Sequence, residues 1–262
     1  MKMHLPGPLS PWIEPFQKHQ FEISGRPVTV VCPQQPMEGR YWAWKGEFLD
    51  AFPGTDLALL RRGFYLVNMN FPDQFGSTAA IRKWNELYAF LTGEHGFANK
   101  VALIGLSRGG LYCYPWAAEN VDKVACIYGD APVCDIRSWP GGKGRGLGSP
   151  EDWEKMMDVL AFSGEAETMT YDKNPVDNRA ALAAAHIPLL HVYGDADDEV
   201  PWEENTGVLA RRYRQMGGEI ELISKPGGGH HPHGLEDPAP IVDFIVRHTV
   251  SNQPMKAKPG AG

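Results

Sequence analysis

The sequence predicts an α/β fold with a mostly parallel central sheet, because short apolar runs alternate with longer segments of helical periodicity. Most of the runs are continuously apolar, which is typical of strands that helices cover on both faces. The last run alternates between apolar and polar residues, which favours a place near the sheet edge. Residues 21–24 are predicted to form an antiparallel hairpin with the first run. The predicted strands cover residues 28–32, 64–69, 101–106, 124–128, 189–193 and 220–224.

Five segments between or after these strands have the periodicity of helices. Gly63, Gly93 and Gly217 follow three of them, at the position where helices commonly end in a left-handed residue. The predicted helices cover residues 56–62, 78–92, 109–120, 203–215 and 240–248.

One connection is much longer than the others. More than fifty residues separate the strand that ends near Asp130 from the strand at residue 189, which is too many for a plain crossover. The connection opens with a Gly-rich loop and continues with a helix from about Glu151. Residues 132–186 are therefore predicted to form a lid inserted into a single domain, residues 1–250, with a disordered tail at residues 251–262.

Composition and charge exclude several classes of protein. The 262 residues carry a formal net charge of −7 and no basic stripe, which argues against a nucleic-acid partner. No apolar run approaches the length of a membrane span. The first residues lack the apolar core of a signal peptide, which predicts a cytoplasmic protein, or a secreted or periplasmic one if a signal was removed. The cysteines are expected to be reduced and mostly buried.

The strongest local signal is an apolar strand that runs into Gly105-Leu106-Ser107-Arg108-Gly109, with a helical pattern directly after it. This is the pattern of a nucleophile elbow, in which a sharp turn lifts the serine hydroxyl above the sheet at a helix N-terminus. Ser107 is therefore the predicted nucleophile, and the backbone N–H of Arg108 is one predicted oxyanion donor. The alternative, a chance match to a common pattern, is disfavoured by the strand and the helix on either side.

Four acidic residues follow the strand at residues 189–193, at the carboxyl end where a parallel sheet places its chemistry. The order expected after an elbow serine is an acid and then a histidine. Asp197 and Asp195 are the two candidates for the acid. Asp198 and Glu199 are expected to face solvent or to cap the next helix.

The predicted base is His230, which follows the last strand and a run of glycines that let a loop carry the imidazole back over the nucleophile. His231 is a candidate for substrate binding or loop support, and His233 lies farther along. A metal site is the alternative for these histidines, but the spaced carboxylate or thiol ligands of a zinc site are lacking. The sequence therefore predicts a Ser-His-Asp triad with neither metal nor cofactor.

The second oxyanion donor is expected in the loop that follows residues 28–32, with Trp44 as the chosen residue. The HGGG run of many lipases is missing there. The aromatic side chains of this loop fit a pocket wall, which makes Trp42 a candidate substrate contact, and they fit a core equally well.

Arg108 has two interpretations that the residues alone leave open. Next to the nucleophile it is placed to bind a substrate carboxylate, and it also fits an outward arginine paired with an acid. Lys143 and Arg145 of the Gly-rich loop, together with Lys45, are expected to add positive charge around the same opening. The alternative for the two loop residues is a mobile, solvated segment.

From Phe21 to His248 the chain resembles bacterial carbohydrate esterases of the α/β-hydrolase superfamily, including pectin methylesterases. The segments that carry the resemblance are WAWK (42–45), FGS (75–77), SRGG (107–110), APVCD (131–135), SWPGG (138–142) and HHPH (230–233). It implies an α/β-hydrolase fold and a substrate ester on or beside an acidic sugar. In such hydrolases the acid lies three residues after a glycine and four before a proline, which selects Asp197, and Trp139 is implied as a substrate contact.

The predicted function is hydrolysis of a small-molecule or carbohydrate carboxylic ester through an acyl-enzyme. A lipase would be expected to carry an apolar lid, whereas this insertion is rich in Gly, Lys and Arg. A serine peptidase of this fold often carries a propeller domain, for which 262 residues leave no room. A non-catalytic binding module is disfavoured because serine, acid and histidine occur in the expected order.

Overall fold

In the computed structural model, which describes residues 5–250, nine strands form one sheet. They are β1 (Leu9–Pro11), β2 (Gln17–Ile23), β3 (Arg26–Cys32), β4 (Trp42–Lys45), β5 (Tyr65–Met69), β6 (Val101–Leu106), β7 (Val124–Asp130), β8 (Leu189–Gly194) and β9 (Ile220–Lys225). Their order is β1-β2-β3-β5-β4-β6-β7-β8-β9. Pairing is antiparallel from β1 to β5 and parallel from β5 to β9, so the carboxyl ends of β4 to β9 lie along one edge.

Helices cover both faces of this sheet. They are α1 (Gly54–Arg61), α2 (Thr78–Ala89), α3 (Gly110–Glu119), α4 (Pro150–Val159), α5 (Glu165–Met169), α6 (Ala180–Ala184), α7 (Thr206–Gln215) and α8 (Ala239–Val250). The buried side chains of α2, α3 and α7 join one apolar cluster, and those of α1 and α8 join a second cluster on the other side. The predicted α/β fold, with helices on both faces of a mostly parallel sheet, is confirmed.

The predicted elements are all present, with ends that move by a few residues. Gly63 and Gly217 have φ values of 88° and 80°, as expected for residues that end a helix in the left-handed region. Gly93 instead lies inside a π-helical turn, Phe90–Glu94, that continues α2. The prediction that Gly93 ends the helix is therefore wrong.

The connection between β7 and β8 contains α4, α5 and α6. Ser149 caps α4 by accepting a hydrogen bond from the backbone N–H of Asp152 at 3.3 Å. Met156 of α4 packs in a small apolar cluster with Leu111 and Val133, apart from the two clusters that flank the sheet. The lid role of this connection stays a prediction, and the predicted disordered tail lies outside the described residues.

The main difference from prediction is β4, a four-residue strand in the centre of the sheet that the sequence pattern left inside a loop. Its aromatic side chains are fully buried. Trp44 stacks on Trp84 with ring centroids 4.1 Å apart and packs edge-on against Trp116, while the Trp42 indole donates to the carbonyl of Ala98. Trp42 is therefore a core residue, and the prediction that it contacts substrate is wrong.

Lys45, at the end of β4, is also buried and does not add charge to the site opening, contrary to expectation. Its ammonium lies 2.6 Å from the carboxylate of Asp56 and donates to the carbonyl of Ala51 at 2.8 Å. The burial of Asp56 raises the pKa of its carboxyl, and Lys45 opposes that shift. The pair thereby ties the loop after β4 to α1.

Replacing Lys45 with methionine should destabilise the fold by about 3–5 kcal/mol, because the carboxylate of Asp56 is left buried without its partner. Denaturant unfolding measures this change. In the double variant Lys45→Met/Asp56→Asn, the loss should be smaller than the sum of the two single losses. The matched control is Arg62→Met, which breaks an exposed pair with Asp243 and should cost less than about 1 kcal/mol. Additive losses would contradict the coupling.

The cysteines and the helices agree with two expectations from the sequence, reduced thiols and no membrane span. All four cysteines are free, and Cys113, Cys126 and Cys134 are buried. Within residues 5–250, every helix is too short or too polar to cross a bilayer.

Candidate active site

Ser107 lies at the sharp turn between β6 and α3. It opens a 3₁₀ turn, Ser107–Gly109, and its φ of 48° is a left-handed value that non-glycine residues rarely adopt. A Cβ at Gly105 would lie 3.1 Å from backbone atoms of Gly109, and one at Gly110 would lie 2.6 Å from the carbonyl oxygen of Val133. The turn therefore needs small residues on both sides of the serine, as a nucleophile elbow does.

The structure brings Ser107, His230 and Asp197 together in one chain of hydrogen bonds. The Oγ of Ser107 lies 2.9 Å from Nε2 of His230, and Nδ1 of His230 lies 2.8 Å from Oδ2 of Asp197. The three residues follow β6, β9 and β8, whose carboxyl ends share one edge of the sheet. The imidazole and the carboxylate are both buried, so the hydrogen bond between them is shielded from water.

The two candidate acids have different partners. The second oxygen of Asp197, Oδ1, accepts from the backbone N–H groups of Glu199 at 3.0 Å and Val200 at 2.8 Å. Asp195 is exposed and accepts from the backbone N–H of Gly227 at 2.6 Å instead. Asp197 is thus the carboxylate that contacts the histidine ring, and Asp195 closes the neighbouring loop.

A second aspartate–histidine pair lies beside the first. His233 Nδ1 is 2.8 Å from Oδ1 of Asp130, the last residue of β7, and Oδ2 of Asp130 accepts from Tyr128 and from the backbone N–H of Gly234. Burial acts to raise the pKa of Asp130, but the interactions with His233, Tyr128 and Lys225 together outweigh it and hold that pKa below its usual value. Sequence reasoning missed this pair, and the only available signal was a carboxylate at a strand end.

The guanidinium of Arg108 is already paired with carboxylates. Its Nε lies 2.6 Å from Glu47, and its Nη1 lies 2.7 Å from Asp73 and 3.5 Å from Asp152. Of the two interpretations, the structure supports an arginine that pairs with acids. Sequence reasoning missed these three acids, because each comes from a different segment of the chain.

Glu47 lies in the loop directly after β4, and this loop passes over the elbow. A Cβ at Gly46 would be 3.2 Å from the carbonyl oxygen of Gly109, and one at Gly109 would be 3.8 Å from the backbone nitrogen of Glu47. Burial raises the pKa of the Glu47 carboxyl to about 7 against the opposing charge of Arg108. Trp44 lies inside β4, which pairs with β5 and β6 on its two sides. The prediction that Trp44 is the oxyanion donor is therefore wrong. The loop that follows β4 is the segment that lies close to the elbow.

The other residues predicted to contact substrate lie near the triad or in the connection between β7 and β8. Trp139 is half-buried and faces Phe75, with ring centroids 6.4 Å apart. Lys143 pairs with Glu165 at 2.7 Å, so its charge is engaged within the insertion. His231 is exposed and borders the His230 ring.

A comparison of the sequence with models of protein families matches residues 60–251 to the prolyl oligopeptidase family. This range contains Ser107, Asp197 and His230. The chain belongs to the prolyl oligopeptidase family. Membership supports the predicted fold and class of enzyme, and the narrower resemblance to carbohydrate esterases stays a prediction.

Comparison with individual proteins gives one sequence match and several structural matches to this member of the prolyl oligopeptidase family. It is 29% identical over 147 residues to acylamino-acid-releasing enzyme 2 of Oryza sativa subsp. japonica, which covers 51% of the chain but only 17% of that protein. A puromycin-hydrolyzing peptidase of Mycobacterium tuberculosis superposes with a TM-score of 0.66 at 14% identity over 89% of the chain and 39% of that protein.

A cold-adapted esterase from an Arctic intertidal metagenomic library superposes with a TM-score of 0.60 at 16% identity over 95% of the chain and 100% of the esterase. At such identities the two structural matches show a shared fold.

Proposed function

We propose that the chain is a serine hydrolase that cleaves carboxylic esters through an acyl-enzyme on Ser107. The observation that carries the proposal is the unbroken hydrogen-bond chain from Ser107 through His230 to Asp197. An oriented base at 2.9 Å from a serine hydroxyl is the geometry that proton transfer during nucleophilic attack requires.

Each residue has a role that follows from its contacts. His230 takes the proton from Ser107 as Oγ attacks the carbonyl carbon, and then gives it to the leaving alcohol. Asp197 holds the proton of the ring on Nδ1 and stabilises the imidazolium. The backbone N–H groups of Arg108 and Glu47 are the proposed donors to the oxyanion, because Arg108 lies in the elbow and Glu47 in the loop that passes over it. Water then attacks the acyl-enzyme, with His230 again as the base.

The charges around Arg108 favour a neutral or positively charged substrate. Three carboxylates, on Glu47, Asp73 and Asp152, surround one guanidinium. Lys155 lies 3.9 Å from Asp152 but pairs more closely with Glu151, so acidic groups still outnumber basic ones. A uronate would have to displace one of these carboxylates. We therefore place neutral esters ahead of the acidic-sugar esters that Arg108 alone would favour.

Peptide-like amides are the second candidate. The chain belongs to a family named for an oligopeptidase, and the rice relative is named an acylamino-acid-releasing enzyme. The same triad hydrolyses amides when the leaving amine is protonated by the histidine. Turnover of p-nitrophenyl esters compared with acylamino p-nitroanilides separates the two candidates.

The test of the proposal is to label the nucleophilic serine covalently. Incubation with a fluorophosphonate should add one phosphonyl group per chain, and peptide mapping should place it on Ser107. Preincubation with a slowly hydrolysed ester should prevent this labelling. A fully folded protein that stays unlabelled in excess reagent, or that is labelled at another serine, would refute the proposed nucleophile.

Replacing Arg108 with glutamine should reduce kcat/KM for neutral esters and for methyl uronates by similar factors, so that their ratio changes by less than about threefold. The reason is that Nε and Nη1 of Arg108 are already bound to the carboxylates of Glu47 and Asp73, so its charge is largely neutralised before a substrate binds. Initial rates on matched p-nitrophenyl and methyl uronate esters measure the ratio.

The matched control is Arg145→Gln, which removes an exposed arginine of the insertion that pairs with Glu203 at 3.4 Å. It should leave both rates within about twofold. If Arg108→Gln lowered kcat/KM for methyl uronates much more than for neutral esters, Arg108 would again be the residue that binds the carboxylate of an acidic sugar.

A further inference from the structure

Three histidines at the mouth of the site form a compact group, here called the histidine cluster: His230, His231 and His233. Each offers one ring nitrogen, and these atoms lie within 4.8 Å of one another. The rings pack edge to face with centroids 4.8 to 4.9 Å apart. His230 and His233 are buried and His231 is exposed, so the cluster is open to solvent from one side.

Two of these rings are already oriented as metal ligands usually are. Nδ1 of His230 is held by Asp197 and Nδ1 of His233 by Asp130, both at 2.8 Å. A carboxylate on one ring nitrogen fixes the tautomer and leaves the other nitrogen, Nε2, with its lone pair free to bind a cation. The sequence showed no carboxylate at the spacing of a direct zinc ligand. In the structure, the carboxylates of Asp197 and Asp130 lie behind the histidines and orient their rings.

The charges around the cluster favour a cation. The carboxylates of Asp197 and Asp130 lie behind the rings of His230 and His233, each 2.8 Å from the ring nitrogen that it holds. The opposing group is Lys225, whose ammonium is 4.0 Å from Asp130 and is also bound to the carbonyl of Pro232. Imidazole nitrogen is a preferred ligand of Zn²⁺ and of other late first-row divalent ions.

We propose that the histidine cluster binds one Zn²⁺-class divalent ion and that this ion inhibits hydrolysis. The ligands are Nε2 of His230, Nε2 of His233 and a ring nitrogen of His231. Zn–N distances of about 2.0–2.1 Å require each ring to move by less than about 1 Å. The exposed His231, which stacks on Phe52, supplies most of the movement.

The ion should inhibit hydrolysis because it occupies the lone pair on Nε2 of His230. Nε2 of His230 lies 2.9 Å from the Oγ of Ser107 and must accept the serine proton for attack to occur. A bond from this nitrogen to the metal breaks the hydrogen bond to Ser107 and leaves no base. This second part rests on the proposed function, whereas metal binding itself does not.

Binding is measured without reference to activity, using tag-free Ser107→Ala protein and Co²⁺. We expect one Co²⁺ per chain, the visible absorption of a tetrahedral site, and displacement of that signal by Zn²⁺. His231→Ala and His233→Gln, each made in the same background, should weaken binding at least about tenfold. His186→Asn is the matched control, because His186 is exposed and precedes β8 at the opposite edge of the sheet.

Inhibition is measured on the protein with Ser107 intact, as Zn²⁺ titrations of ester turnover relative to the metal-free rate of each variant. Zn²⁺ should abolish turnover, a chelator should restore it, and His231→Ala should raise the half-inhibitory concentration at least about tenfold. No bound Co²⁺, or binding that His231→Ala leaves unchanged, overturns the site. Binding with undiminished turnover overturns the inhibitory role. If no ester is turned over, the Co²⁺ measurement still decides the site and only the proposed function fails.

Discussion

Replacing Ser107 with alanine should reduce kcat for ester hydrolysis by a factor of about 10⁴–10⁶. Alanine differs from serine only by the missing hydroxyl, so the turn and the oxyanion donors should persist while the nucleophile is lost. The small remaining rate would come from water attacking a substrate that the site still binds. Single-turnover and steady-state rates on a p-nitrophenyl ester measure the loss.

The matched control is another serine at the start of a helix. Ser77 caps α2 by accepting from the backbone N–H of Ala80 at 3.2 Å. Ser77→Ala should cost about 1 kcal/mol of stability through the lost cap and leave kcat within about twofold. Equal turnover in Ser107→Ala and wild type, with labelling by a fluorophosphonate retained, would show that another group is the nucleophile.

Most of the strands and the elbow were predictable because their signals are local. Residues 101–110 contain an apolar strand, a turn that needs small residues, and a helix start, and each can be recognised without knowing what packs against it. The meeting of Ser107, Asp197 and His230 then follows from the topology of a parallel sheet, because the carboxyl ends of its strands lie at one edge. These features depend little on long-range partners.

The strand at residues 42–45 was not predictable, because its formation depends on long-range contacts. A four-residue strand has too few residues for a clear period, and its flanking Gly and Pro residues suggest a loop. Trp44 becomes a core residue only because β5 and β6 pair with it on both sides and Trp84 covers it. Lys45 becomes a buried cation only because Asp56 approaches from α1. Burial at these positions is decided by tertiary contacts.

Arg108 shows the same limit at the site itself. The sequence places an arginine next to the nucleophile but does not reveal its partners, since Glu47 is 61 residues away and Asp73 is 35 residues away. Those contacts are the reason that we propose neutral esters ahead of acidic ones. A substrate hypothesis that depends on one charged side chain therefore requires the positions of the groups that neutralise it.

Replacing Asp197 with asparagine should reduce kcat by about 10³–10⁴-fold. Oδ1 of Asp197 accepts from two backbone N–H groups, of Glu199 and Val200, so the amide oxygen must take this position. The amide NH₂ then points at Nδ1 of His230, where Oδ2 now lies. Because Nδ1 must accept this hydrogen bond, the ring proton moves to Nε2. His230 then cannot take the proton of Ser107. Steady-state rates measure the loss.

The matched control is Asp195→Asn, two residues earlier on the same loop. The asparagine oxygen can still accept from the backbone N–H of Gly227, and no catalytic ring is in contact, so kcat should stay within about twofold. A larger loss in Asp195→Asn than in Asp197→Asn would reverse the assignment of the acid. Equal large losses with lowered stability in both would instead show that the loop tolerates neither change. The tautomer argument therefore requires a large loss in Asp197→Asn alone, at unchanged free energy of unfolding.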